Sequence, residues 1–154
     1  MKKLKPLIVT FAVLSLLFIW TNSFFSSGVS SRASSYFTRI LTPVLELVLG
    51  RGNVTEHLVR KLAHFAEYAF YGLWLALWMK CDDRKALNAL LAGFITAFLD
   101  ETIQMFTGRG PSIKDVWIDV FGIAAGIGFV HLILAITGLR SEKNKDPDKK
   151  DAPQ

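Results

Sequence analysis

Apolar residues in this chain fall into long runs separated by short polar breaks. From Pro6 to Phe25 the core of the run, Leu7 to Trp20, is broken only by Thr10 and Ser15, and Lys2, Lys3 and Lys5 precede it. A run of this length predicts a helix able to cross a bilayer. Positive residues followed by apolar ones and then a Ser-rich stretch also fit a cleavable signal peptide, but no small-x-small site follows and the run continues through Phe24 and Phe25. Ser26 to Ser35 reads as a Ser-rich linker. Beyond it, Tyr36, Phe37, Ile40, Leu41, Val44, Leu45, Leu47 and Val48 recur every three or four residues and end at Gly50 and Gly52. That pattern predicts an amphipathic helix, either lying at the membrane interface or capping the bundle.

Three more spans follow: Lys61 to Lys80, Ala86 to Phe106 and Val116 to Leu139. A charged turn at Cys81 to Lys85 joins the first two, and a Gly/Pro loop at Thr107 to Lys114 joins the last two. The tail from Arg140 to Gln154 is charged and contains Pro, and is predicted to be disordered. The fold class predicted is all-α, a polytopic membrane bundle of four transmembrane helices plus an extracytoplasmic interfacial amphipathic helix. Short-flank Lys and Arg are more numerous at Lys2, Lys3, Lys5, Lys80, Arg84, Lys85 and the tail than on the other side. The positive-inside rule then puts both termini in the cytoplasm.

Composition agrees. Of 154 residues 51% are hydrophobic and 20% charged, and the mean hydropathy is +0.35, greasier than a soluble domain of this length. The formal charge of +5 lies at the ends of apolar runs and forms no basic stripe with interleaved aromatics, so nucleic acid is not an expected partner. A lone Cys81 excludes an internal disulfide.

Candidate chemistry lies where polar residues enter the apolar runs. In the predicted topology each lies near the extracytoplasmic end of its helix. His64 and Glu67 are three apart and His64 and Tyr68 four apart, so they share one face. Asp100 and Gln104 share another, with Glu101 turned about 100° away. Asp115 and Asp119 share a third, after the loop that holds Arg109. An unpaired carboxylate at the bilayer centre costs roughly 2.5–3.5 kcal/mol, so five of them predict an inward-facing pocket compensated by Lys61, Arg109 and a protonated His64. More modest roles compete. His64 could serve only to bond a neighbouring carboxylate, and Asp115 or Ser112 could cap a helix, the better reading for Ser112. Asp119 lies a turn deeper and calls for a partner such as Arg109 or Lys61. Gly122, Gly126 and Gly128 suit close helix packing. His64, Glu67, Glu101 and Asp119 carry metal-ligand atoms, but His-x-x-Glu reverses the di-iron spacing and no second His joins them, His57 and His131 lying elsewhere. No metal and no cofactor are therefore expected.

The blocks Arg60-Lys61-Leu62-Ala63-His64-Phe65-Ala66-Glu67-Tyr68, then Asp100-Glu101-x-x-Gln104-x-Phe106, then Arg109 with Ser112-Ile113-x-Asp115-Val116-x-Ile118-Asp119-x-x-Gly122-x-x-x-Gly126, resemble the VanZ-like family. Asp119 departs from the pattern, since many members carry Asn there. The resemblance implies a multi-pass bacterial membrane protein of the kind whose founding activity is raised resistance to teicoplanin and related lipoglycopeptides. The chain then divides into a first transmembrane helix (1–25), an extracytoplasmic linker and amphipathic helix (26–59), a VanZ-like three-helix core (60–139) and a disordered cytoplasmic tail (140–154). The favoured function is a binding module whose outward pocket takes a membrane lipid headgroup, a cell-wall precursor or a lipoglycopeptide. The alternative is a membrane enzyme on a lipid-linked substrate, with Glu67 or Glu101 as base, His64 as acid or base and Arg109 steadying phosphate. A transporter fits less well, because the polar residues do not continue to the cytoplasmic half.

Overall fold

The computed structural model describes residues 2–25, 27–82, 84–108, 110 and 112–137. After a 3-10 turn at Lys2–Leu4 come α1 (Lys5–Phe24), α2 (Ser27–Leu49), α3 (Glu56–Cys81), α4 (Ala86–Phe106) and α5 (Ile113–Ile136). Among the described residues there is no strand. Arg109 and the tail from Arg140 lie outside the described residues, as do Gly138 and Leu139 of the expected fourth span.

Local signals set the helix ends. Pro6 sits in the first turn of α1, where its missing N–H is no loss. Thr55 caps α3 by accepting the Leu58 N–H at 3.2 Å, and Glu56 adds a negative charge at that helix N-terminus. Gly50, at φ +83°, ends α2 in the left-handed region. Within α1 the hydroxyls of Thr10, Ser15 and Thr21 each donate to the carbonyl four residues back. These polar residues thus hide their donors inside the helix, as a lipid environment demands.

Alanines mix with larger side chains in the interior, and many large apolar side chains face out. Ala76, Ala89 and Ala97 are buried with Tyr68, Leu75, Ile123, Val130 and Leu134, while Leu14, Leu17, Phe94, Phe98, Phe129 and Leu132 are exposed. An apolar exterior of this kind suits helices packed in lipid, where association comes from close contact rather than from hiding apolar surface. The most extensive pairing joins α3 and α5. A Cβ at Gly122 would stand 2.5 Å from the Phe65 carbonyl oxygen, and one at Gly126 would overlap the Ala69 carbonyl. The expected packing role therefore holds for these two. It does not hold for Gly128, which has nothing within 4 Å, because it lies away from the seam.

Three of the described helices, α1, α4 and α5, are long and apolar enough to cross a membrane. The expected second span falls inside α3, whose 26 residues reach about 39 Å. Helix α3 is less apolar because it carries His64, Glu67 and the four amphipathic rings of Tyr68, Tyr71, Trp74 and Trp78.

The Ser-rich segment corrects the sequence reading. It is helical from Ser27, so the amphipathic helix covers Ser27–Leu49 rather than 36–48. The reason lies in α3. Arg60 donates to Ser34 and Ser31, at 3.3 and 3.4 Å, and Ser35 donates to Ser31 O and to Glu56 Oε1, the latter at 2.6 Å. Serines that favour coil when alone here form the docking face of a helix. Beyond that face α2 packs on α3, and Val44, Leu47 and Val48 stay exposed.

Candidate functional site

Antiparallel packing brings the end of α1, the first half of α3, the end of α4 and the start of α5 to one end of the bundle. Each contributes polar groups there. Asn22 on α1 donates to Glu67 Oε1 at 3.2 Å, and Thr107, just past α4, donates to the Ser23 carbonyl at 3.2 Å. On α4, Gln104 Nε2 donates to Asp100 Oδ2 at 2.9 Å, one helical turn away. Glu101 points elsewhere, as its 100° offset predicts, and accepts the Ser112 N–H at 2.9 Å.

That last bond corrects the capping assignment. Ser112 occupies the N-cap position of α5, but its side chain makes no capping bond. The carboxylate of Glu101 reaches across from α4 and takes an otherwise unsatisfied donor at the positive end of α5. One interaction thereby closes the α4–α5 connection and gives a buried acid a partner.

The expected partner of Asp119 also changes. Lys61 Nζ lies 3.5 Å from Asp115 Oδ1, whereas the basic group beside Asp119 among the described residues is the His64 imidazole, with Nδ1 3.7 Å from Oδ1. Asp119 and Asp100 are both fully buried, at 0% exposure. Tyr68, also fully buried, turns its hydroxyl toward Asp100. Asp119 has Asp100, Glu101, Asp115 and Glu67 as carboxylate neighbours. The expected set Lys61, His64, Glu67, Tyr68, Asp100, Glu101, Gln104, Asp115 and Asp119 therefore converges, and Arg109 lies outside the described residues.

Ligand-capable atoms also sort differently from the sequence set of His64, Glu67, Glu101 and Asp119. His64, Asp100 and Asp119, from three helices, bring one donor atom each within 4.8 Å of one another. Glu67 and Glu101 are instead engaged by Asn22 and Ser112.

Two cavities open beside this cluster. A polar one of about 400 Å³ is lined by Lys61, His64, Gln104, Lys114 and Asp115. An apolar one of about 490 Å³ runs between α1, α2 and α3 past Phe18, Val29, Phe37, Leu41 and Leu62. They meet at Ser30, Arg60 and His64, which line both.

Sequence reasoning missed three contributors. His57 lines the polar cavity; it precedes His64 by seven residues, two turns on the same face, and that spacing was the available signal. Asn22 stands near the end of the first apolar run at the level of the other polar residues. Arg60 stands at the head of the first motif block, but its bonds to α2 have no sequence signal because the serine segment reads as a linker.

A model of the VanZ/LLP1 family matches residues 8–134, a wider span than the three motif blocks, and one that takes in α1 and α2. The uncharacterized membrane protein YwnJ of Bacillus subtilis (strain 168) is 31% identical over 120 residues, covering 76% of this chain and 82% of that protein. No solved structure matches. With three apolar helices and a membrane-protein relative, the chain is an integral membrane protein.

Proposed function

The chain belongs to the VanZ/LLP1 family, and from that premise we propose that it binds a phosphate-bearing lipid or lipid-linked cell-wall precursor at the junction of its two cavities. The observation that carries the reading is that junction: an acyl-sized apolar groove and a polar cavity share Ser30, Arg60 and His64. An amphiphile laid across it would place its chain under α2 and its headgroup beside Arg60, Lys61 and Lys114. Cations in a partly enclosed site attract a phosphate more strongly than they would in open water. The acids deeper in the bundle suit a cationic portion of the same headgroup. A lipoglycopeptide, which also carries an acyl chain, fits the same groove and would connect the pocket to the family's resistance phenotype.

In this reading all of α1, α3, α4 and α5 cross the membrane, with α3 shielded by the other three, and the polar end faces outward. A reporter fused near Gly110 is then extracytoplasmic and one fused after Arg140 cytoplasmic; the reverse pattern would overturn the orientation.

The binding test is native mass spectrometry of the purified chain with tetradecyl phosphate, against tetradecanol and inorganic phosphate. The phosphate ester should bind best, and Ala33→Trp, which fills the groove, and Arg60→Gln should each weaken it at least about tenfold, a loss of roughly 1.4 kcal/mol. Equal retention of all three compounds, or unchanged binding in both variants, would reject the junction as the site. Release of inorganic phosphate that disappears in His64→Gln would replace the binding reading with an enzymatic one.

A further inference from the structure

Asp119 carries the inference. It is wholly buried at 0% exposure, and among the described residues neither carboxylate oxygen accepts a hydrogen bond. Among the described residues the His64 Nδ1 stands 3.7 Å from Oδ1, beyond hydrogen-bond reach. A buried carboxylate held this way faces a cost that a cation within coordination distance removes.

The surrounding groups meet the structural requirements for such a cation. His64, Asp100 and Asp119 come from α3, α4 and α5, and their donor atoms lie within 4.8 Å of one another. Donors bound to one ion at about 2.0–2.2 Å stand roughly 3–4 Å apart, so small side-chain rotations would close the set. Gln104 holds Asp100 through Oδ2 at 2.9 Å, orienting that carboxylate as outer-shell donors orient metal ligands. His64 and Gln104 also line the polar cavity, which supplies a route of entry.

We propose that His64, Asp100 and Asp119 form a divalent-cation site at the base of the polar cavity. One imidazole and two carboxylates select zinc or manganese over calcium or magnesium, which favour all-oxygen sets. The ion ties three helices together and presents open coordination positions toward the cavity. The proposal concerns the metal alone and stands or falls apart from lipid binding.

The test uses the full chain in dodecyl maltoside micelles, carrying no histidine tag and stripped of metal, titrated with cobalt(II) in the absence of any phosphate compound. Wild type should bind one equivalent with visible ligand-field absorption, displaced by zinc. His64→Gln and Asp119→Asn should each bind at least about tenfold more weakly. Asp119→Asn, with a buried charge removed, should melt no lower than metal-free wild type, which separates ligand loss from misfolding. Folded wild type showing no cobalt absorption, or variants binding as wild type does, would overturn the site. If Asp119→Asn melts lower, His64→Gln decides: unchanged cobalt affinity there rejects the proposal, and a loss in a chain of wild-type stability sustains it.

Discussion

The two ends of the bundle use the same residue types under opposite conditions. At one end Asp100, Asp119, Glu101 and Gln104 are buried between helices, where Gln104 donates to Asp100 and the Ser112 N–H to Glu101. At the other, Lys5 of α1 reaches Asp82 just beyond α3 at 2.5 Å, with the lysine side chain 44% exposed. The hydrogen bond from Lys5 holds the Asp82 carboxyl below the usual carboxylate range, with further help from Arg84. Water already solvates that pair, so its formation changes little. Between the ends lies an apolar core of Leu75, Ala89, Val130 and Leu134. Charge near a membrane helix end is therefore informative only when the bundle removes it from water, and only one end meets that condition.

The largest disturbance should come from the seam that both ends share. Gly126→Val would drive a side chain into the backbone of α3 and should cost about 3 kcal/mol, the upper part of the usual overpacking range, seen as loss of folded protein in a denaturant titration. Gly128→Ala, with open space around it, is the control and should match wild type.

Next is the buried end. Glu101→Ala leaves the Ser112 N–H without its acceptor and should destabilise by about 1–3 kcal/mol. Glu101→Gln keeps an acceptor, so its folded abundance should stay near wild type. In a teicoplanin-sensitive host, loss of any wild-type-conferred protection in this variant at matched abundance would tie the buried end to the phenotype, with vancomycin as comparator. Asn22→Ala should cost about 1 kcal/mol by removing one bond to Glu67.

The smallest effect belongs to the exposed end. Asp82→Asn should leave the unfolding midpoint unchanged within error at neutral pH. A depressed folded-state carboxyl contributes only above its ordinary unfolded value of about 3.9 and loses that contribution as pH falls through the lower folded value. Wild type and variant should therefore stay matched as the pH falls into the acid range. A drop for Asp82→Asn as large as for Glu101→Ala would break the contrast between the ends.

Apolar runs made α1, α4 and α5 legible to within a few residues, because in lipid a helix must be apolar over its length. Helix α3 starts five residues before its apolar run, since Thr55, Glu56 and His57 build a capped polar turn ahead of it. Spacing within each helix correctly grouped His64 with Glu67 and Asp100 with Gln104. It could not pair helices with one another, because periodicity fixes a face but not the rotation of one helix against its neighbour. The pairings of Lys61 with Asp115 and of His64 with Asp119 therefore carry no sequence signal. The helical serines of α2 were hidden for a related reason: the groups that satisfy them, Arg60 and Glu56, lie more than twenty residues away.

The contact at Gly126 also shapes how this sequence can drift. The obstacle to a side chain there is the main-chain carbonyl of Ala69 and the Leu73 nitrogen, which every amino acid possesses. No exchange on the opposing helix can make room, so the usual evolutionary remedy of a paired large-for-small swap is closed. Among descendants of this chain, Gly126 should stay fixed on its own rather than vary in step with a partner, unlike Gly93, whose obstacle is the Ile123 side chain and could yield to a smaller residue.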